Sequence, residues 1–170
     1  MKKLIKKIQS LLNKQECSTY KEIYNFNYEI EVDTDFVSRK IPPALIGDEV
    51  ERNEIIEEML SICESKIITS RQCVLHKSYQ DDPTLAACLS TIQTICRDGK
   101  IDMHVFVRSQ NFDKNFCYDN QTYMMVMCAL LTCWPEYKFG KIYVHITSLH
   151  RFQKEFETTV MRGTTPITFC

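Results

Sequence analysis

Leu85–Asn120 reads LAACLSTIQTICRDGKIDMHVFVRSQNFDKNFCYDN. Between Leu89 and Cys96, and again between Ile101 and Arg108, β-branched and apolar residues alternate with others at period two, as in a strand with one buried face. Arg97-Asp98-Gly99-Lys100 separates the runs, and its Asp-Gly pair accepts the positive φ angles of a type I′ turn. A β-hairpin is predicted. Simple register about that turn pairs Arg97 with Lys100, and so sets Cys88 opposite Ser109 and Leu89 opposite Arg108. A bulge would move the pairing by one residue and leave these groups together. A thiol, a hydroxyl and a guanidinium then meet at one open end of the sheet. An arginine beside a cysteine favours the nucleophilic thiolate, and its planar fork suits a phosphate. Spacing alone leaves two readings open, a cysteine nucleophile acting on a phosphorylated substrate and a structural cysteine.

Outward from the hairpin, Tyr123–Trp134 is apolar all round with no Gly or Pro, which predicts a buried helix ended by Pro135. Gly140 is read as a turn and Lys141–Ile146 as a strand, ahead of Ser148-Leu149-His150. Upstream, Ile67–Leu75 is read as a strand, broken after Tyr79 by Gln80-Asp81-Asp82-Pro83. From Asp48 to about Glu64, Val50, Ile55, Ile56, Met59, Leu60 and Cys63 recur at helical spacing, with Asp48, Glu49 and Glu51 at the end that the helix dipole favours for acids. Tyr24–Val32 looks like a short strand, and Ile41-Pro42-Pro43 must be extended. Residues 1–14 place Leu4, Ile5, Ile8, Leu11 and Leu12 on one helical face with five lysines around the rest. That helix either docks on the core or a partner, or lies on an anionic membrane; docking is the favoured reading. The order predicts a single α+β domain over residues 1–170, one layer of mixed sheet covered by helices.

Composition narrows the function classes. The 170 residues carry 21 basic and 22 acidic side chains, a formal charge of −1, which argues against a nucleic-acid partner. No run approaches the ~20 apolar residues of a membrane span, and the N-terminus has no signal-like apolar segment. A cytoplasmic chain with no membrane partner is expected. The nine cysteines are odd in number and include no C-x-x-C pair, so most are read as apolar fillers in a reducing compartment, with no metal site. His76, His104 and His145 lack partners at metal spacing, and Met124, Met125 and Met127 read as core.

The quoted stretch resembles the nucleophile-to-base-recognition region of the thymidylate synthase and deoxycytidylate hydroxymethylase superfamily. There, a Pro-Cys pair precedes a strand, D-G-K forms the turn, an Arg-Ser pair follows twenty residues after the Cys, and an Asn or Asp eleven residues after that Arg. Cys88, Asp98-Gly99-Lys100, Arg108-Ser109 and Asp119 stand at the matching steps. Gly140 and His145-Ile-Thr-Ser-Leu-His150 resemble the family's glycine, strand and His-x-Tyr segment. The similarity is firm over about residues 66–152.

The resemblance implies a thymidylate-synthase-like fold and roles for named residues. Cys88 matches the nucleophile that adds to C6 of a pyrimidine nucleoside monophosphate, so that C5 can take a one-carbon unit from 5,10-methylenetetrahydrofolate. Arg108 and Ser109 match the phosphate-binding pair, and Arg71 resembles an arginine that reaches across a homodimer interface to the partner's phosphate. His150 matches the histidine on the sugar hydroxyl. Asp at position 119 goes with cytosine hydroxymethylation and Asn with uracil methylation, so (deoxy)cytidylate hydroxymethylase is the first expectation and a dUMP-methylating thymidylate synthase the second. A role for Asp119 as a helix N-cap is compatible with either. The chain departs from the family at Ala87, Asn111 and Phe152, where a proline, an acid and a tyrosine are usual. The family's N-terminal glutamate has Glu49 and Glu51 as candidates, and its folate-closing tail has no recognisable counterpart. Those departures raise a third reading, a catalytically reduced nucleotide-binding or interaction module.

Overall fold

Asp98 and Gly99 both take positive φ, 51° and 68°, and close the expected turn. It joins β3 (Leu89–Arg97) to β4 (Lys100–Asn111). The structure is a computed structural model that describes residues 1–15, 20–31, 49–77 and 88–152. Its other elements are α1 (Lys2–Asn13), β1 (Tyr20–Glu31), α2 (Glu49–Lys66), β2 (Val74–His76), α3 (Phe116–Cys133) and β5 (Lys138–Phe152). The five strands form one sheet in the order β1-β5-β4-β3-β2. Only β4 and β5 are parallel, and α3 makes the crossover that parallel neighbours require.

The hairpin register departs from the expectation at one point. Pairing runs without a break from Arg97↔Lys100 to Thr91↔Phe106, and then Leu89 faces Val107. Ser90 is therefore the extra residue of a bulge, and Cys88 comes opposite Arg108 rather than Ser109. The Arg108 amide donates to the Cys88 carbonyl at 2.8 Å.

One face of the sheet holds the core. Ile92, Met103, Val105, Ile142, Val144 and Ile146 are buried there, with Met59 and Cys63 of α2 and Phe116, Tyr123, Met127 and Leu130 of α3. Ile8 and Leu12 of α1 are fully buried while all its lysines are exposed, so this helix docks on the core as favoured. The other face carries a ladder of rings. His104 stacks on Tyr143 at 4.7 Å between centroids, and Phe106 on His145 at 4.8 Å.

Three further elements differ from the sequence reading. The strand expected over Ile67–Leu75 is confined to Val74–His76; before it the chain turns, with Ile67 at a φ of 65° and its carbonyl accepting the Ser70 amide. The strand at Tyr24 begins earlier, at Tyr20, and Val32 lies outside the described residues, as do Ile41-Pro42-Pro43 and Gln80-Asp81-Asp82-Pro83. Gly140 lies inside β5, not in a turn. There the β4–β5 register shifts between Ile101 and Met103, and the Asp102 carboxylate accepts the Lys141 amide at 2.7 Å. A Cβ at position 140 would stand 2.5 Å from the Ile101 carbonyl oxygen.

That contact is with backbone, which cannot swing aside. Gly140→Ala is expected to lower unfolding free energy by about 1–3 kcal/mol in urea titration, the range for overpacking at a tight site. An unchanged midpoint would contradict the close approach of β4 and β5.

Candidate active site

Four elements converge beyond the open end of the hairpin. Cys88 stands half-buried at the entry to β3, and Arg108 is exposed opposite it on β4. Ser109 follows, its Oγ 3.3 Å from Nδ1 of His150 on β5. Gln110 comes next, fully buried, with its Nε2 donating to Oδ2 of Asp119 at 2.6 Å. Asn111 then turns the chain, its Oδ1 accepting the amides of Asp113 and Lys114 at 2.9 and 3.2 Å. This turn launches α3 at Phe116, so Asp119 lies in the first helical turn and Asn115, not Asp119, is the N-cap. Arg151 braces the same turn through a two-pronged ion pair to Asp113, both bonds 2.7 Å long. Asn120, next to Asp119, is anchored by the hydroxyl of Tyr28, which donates to its Oδ1 at 2.8 Å.

Charge at the site is finely opposed. Burial pushes the Cys88 thiol above its ordinary pKa; Arg108 pulls it back, while Asp119 and Glu51 push it further up. The sequence suggests that the arginine stabilises a thiolate. It does act in that direction, but burial and two carboxyl groups outweigh it, so the free protein holds Cys88 mainly as a thiol. Asp119 is itself raised, to about 6, first by burial and then by Glu51, against the hydrogen bond from Gln110. Tyr123 is fully buried beneath the cluster and is raised by burial and by Asp119. Arg52 of α2 sits 5.6 Å over the ring of Tyr118.

Of the residues singled out in the sequence, Cys88, Arg108 and Asp119 thus fall within electrostatic reach of one another or of a shared neighbour, and Ser109 and His150 meet beside them. Arg71 stands apart. Its carbonyl accepts from Gln93 in the middle of β3, five residues from Cys88 or ~16 Å along an extended strand. Glu51 emerges as the glutamate near the nucleophile. Gln110 has no signal in the sequence beyond being a polar residue next to an Arg-Ser pair, and only the packing of α3 on the end of β4 reveals its partner. Phe116 is core, against the rings of Tyr28 and Phe112. His76 bonds Thr91, His145 bonds Asn27, and the seven described cysteines are all free thiols. Among the described residues, no helix is long and apolar enough to cross a membrane.

A search of solved structures matches the chain to the thermostable thymidylate synthase A from Bacillus subtilis, with a TM-score of 0.59 and 12% identity, covering 96% of this chain and 84% of that one. At that identity the match shows the fold alone, and the fold is the α+β architecture expected. No protein-family model and no curated protein matches.

The opposition of charges has a measurable sign. Because the thiol is raised, Cys88 should alkylate slowly at neutral pH, with a midpoint above the ~8.5 of an ordinary cysteine when followed by peptide mass spectrometry. Glu51→Gln and Asp119→Asn remove negative charge and should each lower the midpoint; Arg108→Ala should raise it. A wild-type midpoint below ~8 would contradict this balance.

Proposed function

We propose that this chain is a C5 one-carbon transferase for a pyrimidine nucleoside monophosphate, first of all a (deoxy)cytidylate hydroxymethylase, with Cys88 as the nucleophile. The observation that carries this reading is the grouping of Cys88, Arg108, Asp119 and Glu51 at one end of a sheet with thymidylate synthase architecture. Arg108 and Ser109 bind the 5′-phosphate, and His150, beside Ser109, takes a sugar hydroxyl. The Cys88 sulfur adds to C6 of the ring.

Addition at C6 moves negative charge toward N3 and the exocyclic atoms of the base. A protonated carboxyl facing N3 stabilises that charge by donating a hydrogen bond, and its other oxygen accepts from the amino group of cytosine. With its pKa raised to about 6, Asp119 retains a protonated fraction near neutral pH that an ordinary carboxyl would have lost. Glu51 is the group for moving protons around the ring. Loss of the tyrosine hydroxyl at Phe152 removes one sugar hydrogen bond, about 0.5–1.5 kcal/mol, which weakens binding without abolishing it.

When bound, methylenetetrahydrofolate supplies the one-carbon unit. The described residues give no seat for it: Asn111, at the family's acidic position, uses its side-chain oxygen on backbone amides, and the segment after Phe152 lies outside the described residues. The chain works as a homodimer in this reading, with Arg71 reaching the partner's phosphate and the ladder of rings as the face available for the contact.

Two other readings remain in play. Uracil methylation on dUMP is the closer one. The raised thiol of Cys88 and the change at Phe152 favour a module of the same fold that binds a nucleotide without turning it over. Release of tritium from the C5 position of dCMP and dUMP, with and without methylenetetrahydrofolate, separates them. Wild type should release label from dCMP, and Cys88→Ala should lose at least ~100-fold of that rate, as expected for a covalent nucleophile. Label released preferentially from dUMP would shift the reading to methylation, and tight binding with no release from either base would overturn transfer altogether.

A further inference from the structure

Gln110 is fully buried between Ser109 and Asn111, paired in the sheet with Leu149. A buried amide can be fully satisfied or replaced by an apolar residue, but this one is neither. Its Nε2 donates to Oδ2 of Asp119 at 2.6 Å, while its Oε1 is buried with no hydrogen-bond partner. An unsatisfied buried carbonyl is destabilising, and positions that keep such a cost are characteristically functional. The Nε2 donor is what the position retains.

We infer that Gln110 is a positioning residue that determines which oxygen of Asp119 can carry a proton toward the base, and thereby which pyrimidine is preferred. The inference rests on Asp119 being the base-reading group. A carboxylic acid is a donor and acceptor side by side. Cytosine offers an acceptor at N3 beside an amino donor, and uracil offers a donor at N3 beside a carbonyl acceptor. A free carboxyl group matches either edge by moving its proton from one oxygen to the other. With Gln110 donating to Oδ2, that oxygen must remain an acceptor, and the proton is confined to Oδ1. The exchange that would let one carboxyl read both bases is blocked.

The hydrogen bond favours the ionised form of Asp119, against the burial and the Glu51 charge that favour the neutral one. Besides Glu51 of α2, the titratable groups around Asp119 are Tyr28 of β1, Cys88 at the entry to β3, and Tyr118 and Tyr123 of α3 itself.

The test uses the full chain carrying 13C-labelled aspartate, assigned through Asp119→Asn. Titration of the Asp119 carboxyl carbon by NMR needs no nucleotide. Gln110→Met keeps the length and removes the donor, so the midpoint should rise by about one unit. Gln110→Glu, which keeps the shape, should raise it at least as far if Met is not tolerated. The second readout is the ratio of dissociation constants for dCMP and dUMP, which should move toward one by ~10-fold or more in either variant. A midpoint that stays put in both variants would overturn the inference. So would a dCMP to dUMP ratio that changes in Asp119→Asn but not in the Gln110 variants. A ratio unchanged in Asp119→Asn itself would instead remove the base-reading role of Asp119, and the specificity role of Gln110 with it.

Discussion

The hydrogen bond from the Arg108 amide to the Cys88 carbonyl sets the geometry of the site. It exists because Ser90 is an extra residue in β3, which shifts the last rungs of the ladder and seats Cys88 directly across from Arg108. β-Bulges re-aim side chains at the ends of sheets, and here the result is a sulfur and a guanidinium on facing positions. The last four residues of β4 are then apportioned in turn. Arg108 faces Cys88, Ser109 meets His150, Gln110 holds Asp119, and Asn111 closes the turn into α3. A single strand end thus addresses three other elements.

Electrostatics at that end hold Cys88 as a thiol at rest and leave a protonated fraction of Asp119 near neutral pH. Burial penalises both the thiolate of Cys88 and the carboxylate of Asp119, and one arginine does not offset it against two carboxyl groups. Such a site cannot be explained as a stabilising ion cluster. It stores unfavourable charge next to a nucleophile, an arrangement with a physical rationale at a reacting centre and little elsewhere. A protonated Asp119 serves as a donor, and a thiol held back until a ligand enters is protected from adventitious reaction.

Much of this was readable in the chain. The hairpin follows from alternation on either side of Asp98-Gly99, and α3 from a long apolar run without Gly or Pro. The bulge was not readable, because alternation from Leu89 to Cys96 continues across Ser90 with nothing to mark the extra residue. Gly140 reads as a turn since glycine most often serves positive φ, yet here it serves the close approach of two strands. Ile67 misleads in the opposite way: a β-branched residue signals a strand, but this one takes a left-handed turn at the end of α2. Gln110 joins the site only through tertiary packing, beneath the first turn of α3, so no local pattern announces it, and it is the approach of α2 to Cys88 that separates Glu51 from Glu49.

A crystal structure of the full chain with dCMP tests the central claim most directly. The phosphate should lie on Arg108 and Ser109, the amino edge of cytosine on Asp119, and C6 should stand ~3–3.5 Å from the Cys88 sulfur, the separation of a reactive complex. A nucleotide bound elsewhere, or a Cys88 sulfur turned into the hydrocarbon core away from the ring, would contradict the account and leave only the shared architecture.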